Sequence, residues 1–328
     1  MTHKYLMYPG CSVQRSAKPY LDSTLAIQEK LAMEFEEIED WNCCGATEYH
    51  SVTRLPAHAL VGRNLAIAQE QAKESNIVVA PCSACYLNLV KTDDVMKTDQ
   101  GFGSKVNEAL AAGGLHYDAG SLEIRHLLDV VINDIGLERI KELVTKPLTG
   151  LRVAAYYGCM IVRPDYNNRF ENPEYPTVLE ALLTTLGAEV VDFPLKTHCC
   201  SGHMTQISSD IAYELIRRLI DGASKYEADI VVTLCPMCQL NLDAFQPNMN
   251  RHFGTDYHIP VLYFTQLMGL AFGLNAKALG IGKEFIDARQ ALAKIGVEVP
   301  ESEEIKPRRK KKEGLPMPHL DNGKGGGS

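Results

Sequence analysis

Ten cysteines stand in this chain of 328 residues, and their order says more than their number. They fall at Cys11, Cys43, Cys44, Cys82 and Cys85, then at Cys159, Cys199, Cys200, Cys235 and Cys238. Each set reads as a single cysteine, an adjacent pair and a Cys-x-x-Cys. The gaps are 31 and 37 residues in the first set and 39 and 34 in the second. Thiolate is the form that binds metals and attacks disulfides, so a recurring quintet points to metal binding or redox catalysis. Structural zinc takes four ligands in a compact tetrahedron, often as two Cys-x-x-Cys pairs. Here five thiols recur and two are adjacent, which suits neighbouring irons of a larger cluster better than one small ion. Cubane [4Fe–4S] centres draw on four cysteines at tighter spacing. The residues point to an unusual iron–sulfur cluster held by five thiolates, given twice. Structural zinc and simple burial of apolar cysteines are the other readings.

The surroundings of the cysteines repeat as well. YPGC at 8–11 matches YYGC at 156–159, and DWNCCGATEYH at 40–50 answers KTHCCSGHMT at 196–205. IVVAPCSACYLNL at 77–89 matches IVVTLCPMCQLNL at 230–242. A duplicated unit drifts in loop and helix length but keeps its motifs in order.

The elements that must carry these motifs follow from hydrophobic pattern. Buried strands are expected at 4–8, 77–80, 152–157 and 230–233, and middle strands at 35–39 and 189–193. Helices are expected at 18–33, 54–74, 177–186 and 211–225, with one or two more over 122–144 and a last amphipathic one over 283–295. Residues 101–120 read as loop with a short helix inside. Strands alternating with helices give an α/β chain of two pseudo-symmetric, parallel-sheet, Rossmann-like halves, at 1–146 and 147–300. Each cysteine motif then lies just beyond the C-terminal end of a strand, where open α/β sheets bind ligands. The helix after each Cys-x-x-Cys aims its N-terminal N–H groups at the thiolates.

Composition narrows the class. The net charge is −8, and residues 301–328 hold seven Lys/Arg against five Asp/Glu, so the first 300 residues carry −10. An acidic body argues against nucleic acid as the main partner. No apolar run reaches 18 residues, so no transmembrane segment is expected; the longest, 261–274, is interrupted by Thr265 and Gln266. That run reads as a buried helix or strand or a docking surface. The N-terminus lacks the pattern of a signal peptide, and a cytoplasmic protein is expected. Residues 301–328 read as a disordered tail whose basic run, 306–312, is solvated or attracts an acidic surface.

The doubled pattern Cys, Cys-Cys-Gly, Cys-x-x-Cys resembles the CCG domain of the heterodisulfide reductase B-subunit family, over roughly residues 4–270. The resemblance implies that each half binds a noncubane [4Fe–4S] cluster. The ligands would be Cys11, Cys43, Cys44, Cys82 and Cys85 for one, and Cys159, Cys199, Cys200, Cys235 and Cys238 for the other. It implies that both clusters face one cleft, with a disulfide or thiol substrate between them. Electrons would come from the iron–sulfur C subunit of such a complex, fed by its flavin-bearing A subunit. The same domain occurs in iron–sulfur subunits of lactate, glycolate, glycerol-3-phosphate and succinate oxidising enzymes, so an electron-transfer subunit without its own substrate is the alternative. Those relatives often carry an extra ferredoxin segment with C-x₂-C-x₂-C spacing, and no such spacing occurs here. The second half departs in one respect: it reads Cys-Cys-Ser-Gly at 199–202, with the glycine displaced by one. That places the form of its turn in question.

Cleaving a disulfide takes two electrons and releases thiolates that need protons. His50 and His203 follow their cysteine pairs closely and are the candidate proton donors; His198 is considered with them, and a hydrogen bond or packing role is the plainer reading of all three. Arg163 and Lys196 are candidate anchors for an anionic substrate, or solvated surface. Iron with acid-labile sulfide in the anaerobically purified protein is the expected outcome of metal analysis. Zinc without sulfide would select a zinc-stabilised interaction protein instead.

Overall fold

The computed structural model describes residues 2–46, 49–166, 170 and 172–300. Its eight strands form two four-stranded sheets, every pair parallel, in the orders β2-β1-β3-β4 and β6-β5-β7-β8. The first sheet comprises β1 (His3–Met7), β2 (Met33–Glu37), β3 (Ile77–Ala80) and β4 (Glu123–His126). The second comprises β5 (Arg152–Tyr156), β6 (Glu189–Val190), β7 (Ile230–Thr233) and β8 (Val261–Tyr263). The second order repeats the first strand for strand, so the duplication read from the motifs is a duplication of topology. The central strands IVVA and IVVT are buried along nearly their whole length, as a sheet covered by helices requires. The edge strand β2, MEFEE, turns glutamates to solvent, which discourages pairing with another chain.

Several boundaries differ from the sequence reading. The helix expected over 18–33 stops at Gln28; Ala32, at φ +51°, turns the chain into β2. Residues 100–111 form a capped helix, Gln100–Ala111, longer than the short helix within a loop expected over 101–120. Asp99 accepts the Phe102 N–H at 3.0 Å, and Gly103 is there because a Cβ would sit 2.7 Å from the Met96 carbonyl oxygen. Gly103 serves close packing and not a loop. The segment 122–144 begins with a strand, β4, before its helices. Its buried Arg125 looks wrong for a strand, and is accommodated by Asp129 and Asp134, each at 2.7 Å. Strand β8 runs straight into the buried helix Phe264–Ala271 without a polar residue to mark the joint, so strand and helix merged into one apolar run. That run is core and not a docking surface. At the C-terminus only Arg289–Ala293 is helical. The disordered tail expected over 301–328 lies outside the described residues.

The halves are locked to each other. Helix Lys18–Gln28 of the first packs on helix Phe264–Ala271 of the second. Tyr20 stacks on Tyr263 with ring centroids 4.3 Å apart and planes 5° from parallel. Its hydroxyl donates to the Leu234 carbonyl at 3.2 Å, one residue before Cys235. Ser23 and Thr265 share a hydroxyl hydrogen bond of 2.6 Å. Truncating Tyr20→Ala is expected to cost about 3–5 kcal/mol, whereas Tyr20→Phe keeps the stack and costs about 1 kcal/mol. Denaturant unfolding of both variants checks this; equal losses would show that stacking is not what joins the halves.

Candidate metal centre

In each sheet the chain order reverses between the first and third strands, β1 and β3 or β5 and β7. That reversal opens a crevice at the carboxyl ends of the strands. Cys11 and Cys159 follow β1 and β5, and the pairs Cys43–Cys44 and Cys199–Cys200 follow β2 and β6, which stand at the sheet edges and not in the middle. Cys82 and Cys235 are the N-caps of helices Ser83–Thr98 and Pro236–Ala244, with Cys85 and Cys238 in the first turn. Separate chain segments thereby bring five thiols to each switch point.

Matched clamps hold the cysteine pairs in place. The Tyr8 hydroxyl donates to the Asn42 carbonyl at 2.6 Å, and the Tyr156 hydroxyl to the His198 carbonyl at 2.7 Å. Those carbonyls immediately precede the two pairs. From the other side, the Asn88 amide donates to the Cys44 and Ala46 carbonyls at 3.1 and 2.6 Å. The Asn241 amide donates to the Cys200 and Gly202 carbonyls at 3.0 and 2.8 Å. These tyrosines and asparagines are functional residues that sequence reasoning passed over, although all sit inside the repeated motifs. The displaced glycine is also explained. Gly45 and Ala46 have φ of +76° and +49°, and Ser201 and Gly202 have +85° and +57°. Both halves make the same left-handed turn; the second forces a serine into its first position, at some backbone cost.

The glycine before each leading cysteine approaches sulfur closely. A Cβ on Gly10 would lie 2.8 Å from Cys85 Sγ, and one on Gly158 would lie 2.9 Å from Cys238 Sγ, both at positive φ. YPGC and YYGC therefore carry glycine because the backbone lines the sulfur site.

The ten sulfurs form one connected array. Cys11 and Cys43 are 3.6 Å apart, and Cys44 and Cys85 are 3.5 Å apart. Electrostatic interactions between thiols continue from Cys43 to Cys44 and from Cys85 to Cys82, then across the interface from Cys82 to Cys235. They pass on through Cys238, Cys200 and Cys199 to Cys159. The array is exposed at Cys11, Cys43 and Cys199 and buried at its centre. Its protons are shared unequally. Bonds from Cys159 and Cys200 drive the Cys199 pKa down to about 3, and bonds from Cys238 and Cys82 hold Cys235 well below the ordinary thiol range. The N–H groups of Met237 and Cys238 add to the latter, as expected at a helix N-terminus. Their partners shift in the opposite direction: Cys200 is pushed up to about 12 by its bond to Cys199, and Cys82, Cys85 and Cys238 rise well above the ordinary value. Five adjacent thiols cannot ionise together without positive charge among them. A polymetallic group supplies that charge and accepts ligands on separate metal atoms. The donor set fits a cluster better than zinc.

All five second-half cysteines line one cavity of about 220 Å³. Met160, Met204, Met237 and Ile207 give it an apolar wall, and His203 lies in the same lining. A neighbouring cavity of about 250 Å³ shares Cys199 and is lined by Arg163, His198 and Arg218. Arg163 is braced there by Glu174, with Nε 2.9 Å from Oε1. The other candidates lie elsewhere. Lys196 is buried, paired with Glu180 and held over the Tyr175 ring, so it is neither solvated nor free to take a substrate. His50 packs edge-on against His58, ring centroids 4.6 Å apart, and its two ring nitrogens are buried without a hydrogen-bond partner among the described residues. Desolvation lowers its pKa, so the ring is neutral.

Two parallel sheets, each delivering a cysteine quintet to its switch point, define a duplicated cysteine-rich α/β protein. The chain belongs to the CCG cysteine-rich domain family, which matches residues 5–90 and 153–243. It is 35% identical over 288 residues to the 8-methylmenaquinol:fumarate reductase membrane anchor subunit of Wolinella succinogenes, covering 88% of this chain and 99% of that protein. It is 30% identical over 296 residues to the B subunit of the ferredoxin:CoB-CoM heterodisulfide reductase of Methanosarcina mazei, covering 89% and 97%. A protein of Archaeoglobus profundus resembling the heterodisulfide reductase B subunit is 29% identical, covering 85% and 94%. In fold, a hypothetical protein from Helicobacter pylori superposes with a TM-score of 0.68 at 14% identity; 87% of this chain matches 52% of that one. Among the described residues no helix is long and apolar enough to cross a membrane.

Gly158→Ala is expected to lower bound iron and sulfide to about half, one site of two. The control is Gly150→Ala: its φ is +92°, but nothing lies within 4 Å of the added Cβ, so it bears only the backbone cost of about 1 kcal/mol. Elemental analysis of both variants separates sulfur collision from strain; equal losses would exclude the collision.

Proposed function

We propose that this chain is the catalytic iron–sulfur subunit of a heterodisulfide reductase-like complex, cleaving or forming a disulfide by paired one-electron steps. The observation that carries the reading is the unbroken array of ten sulfurs, joined between the halves at Cys82 and Cys235. Residues 1–146 would form one cluster domain and residues 147–300 the other. Each quintet would hold a noncubane [4Fe–4S] cluster: Cys11, Cys43, Cys44, Cys82 and Cys85 in one half, and Cys159, Cys199, Cys200, Cys235 and Cys238 in the other. When bound, the clusters would supply or accept the two electrons of the reaction singly. A cytoplasmic complex with an iron–sulfur C subunit and a flavin-bearing A subunit would complete the chain of transfer; relatives named as heterodisulfide reductase B or B-like subunits align over most of this chain.

The chain's own residues account for the remaining work. Reduction of RS–SR′ consumes two electrons and two protons and releases RSH and R′SH. The methionine wall at Met160, Met204 and Met237 receives the carbon chain of a thiol and displaces water from the sulfurs. Arg163 and Arg218 face the adjoining cavity and hold an anionic end. His203, in the lining beside the sulfurs, would pass a proton from its ring to a departing thiolate. His50, seated against His58, would serve the first half only as a neutral ring.

A second reading is an electron-transfer subunit of a succinate- or fumarate-type enzyme. The 35% identity to the fumarate reductase subunit favours it, as do the apolar side chains exposed near the site, Ile207 and Ile211. The anaerobically reduced complex, titrated with candidate disulfides while its paramagnetic resonance is recorded, tests the first reading. A substrate disulfide is expected to alter the cluster signals and to be reduced to two thiols. Electron flow to a quinone or fumarate partner, with spectra indifferent to every thiol and disulfide, would establish the second.

A further inference from the structure

We infer that Ser83, from the first half, is a hydrogen-bond donor to the sulfur site of the second half. The inference rests on the cluster reading of the two quintets. Ser83 is fully buried, and its Oγ has no hydrogen-bond partner among the described residues. It nonetheless lines the cavity formed by Cys159, Cys199, Cys200, Cys235 and Cys238, every one of which comes from the other half. A buried hydroxyl without a partner is uncommon, and one carried by a residue that lines a ligand site points to a partner that arrives with the ligand.

Its place in the chain explains why the hydroxyl is free. Ser83 is the first helical residue after the N-cap Cys82, and the four residues before it include the end of strand β3. An interior serine bonds back to a helical carbonyl one turn earlier; here there is no such turn. The corresponding residue of the second Cys-x-x-Cys is Pro236, which carries neither a hydroxyl nor an N–H. The pseudo-twofold is therefore broken at this point. The second-half quintet has a hydroxyl from across the interface in the lining of its cavity, and the equivalent position of the second Cys-x-x-Cys carries none.

Hydrogen bonds to cluster sulfurs favour the more reduced, more negative state and raise the reduction potential. Ser83 thus raises the potential of the second-half cluster above what it would be without the hydroxyl, which biases a single electron toward the second half.

The test uses the full-length protein with its clusters, prepared anaerobically and titrated with reductant under paramagnetic resonance. Ser83→Ala removes the hydroxyl. Ser83→Pro copies the second half and uses a residue that the first helical position tolerates. In both, one cluster signal is expected to become harder to reduce by about tenfold, 59 mV for a one-electron couple, while the other stays put and iron and sulfide remain at wild-type levels. Two unmoved signals at full iron content would overturn the inference, as would equal shifts of both or loss of iron from the variants. Wild-type protein lacking iron and sulfide would sink the cluster reading itself, a separate result.

Discussion

Mutual repulsion among thiolates is the constraint on which this structure turns. Two unit charges about 4 Å apart interact by about 4 kcal/mol at an effective dielectric of 20. Cys44 and Cys85 lie 3.5 Å apart in the array, and Cys11 and Cys43 lie 3.6 Å apart. The array shares protons unequally, lowering Cys44, Cys199 and Cys235 and raising Cys82, Cys85, Cys200 and Cys238. Such an array is a poor structural core, since an apolar side chain would pack there without the electrostatic burden. It makes sense as a ligand set. The Tyr8 and Tyr156 hydroxyls, the Asn88 and Asn241 amides and the left-handed turns then act to one end, holding in place thiols that would otherwise move apart.

Those clamps all act on backbone carbonyls. A side chain that bonded sulfur directly would compete with metal; one that bonds the carbonyl beside it fixes the loop and leaves the sulfur free. Asn241 does both to a small degree, with its amide 3.6 Å from Cys200 Sγ as well as on the flanking carbonyls. The glycines reach the same result by a different route. At Gly10 and Gly158 the backbone itself comes within the distance at which a Cβ would meet sulfur, so the wall of the site is main chain.

Legibility in the sequence followed the physics of each element. The duplication and the strands carrying cysteine were readable because β-branched runs such as 77–80 and 230–233 are bounded by the motifs themselves. Strand β4 was not, because its Arg125 is made acceptable by Asp129 and Asp134, which come later in the chain and reach it only once folded. Strand β8 was hidden by its continuity with a buried helix. Within the site, the cysteines stood out by type and spacing. Tyr8 and Asn88 lay in plain view inside the repeated motifs, but a tyrosine after a strand and an asparagine on a helix have many ordinary roles. Only the distances to carbonyls distant in sequence reveal theirs. Lys196 shows the opposite error: its charge suggested solvent or substrate, and the fold commits it to Glu180 and the Tyr175 ring.

Duplication within a single chain, as opposed to pairing of two identical chains, has a further consequence. A symmetric dimer would repeat every feature on both sides of its axis. Here the fused halves share a topology and a ligand set, yet differ at Ser83 against Pro236 and at Gly45 against Ser201. Chemistry that breaks a bond between two unlike thiols gains from such differences, because the two ends of the substrate then meet different surroundings. The Tyr20–Tyr263 stack fixes the separation of the halves, and the Tyr20 hydroxyl on the Leu234 carbonyl ties that stack to the loop of Cys235. The joint at Cys82 and Cys235 is therefore held by first-half residues on both of its sides. Its geometry depends on the interface between the halves and not on either half alone, so the proposed division of two electrons between two sites would need the fused chain.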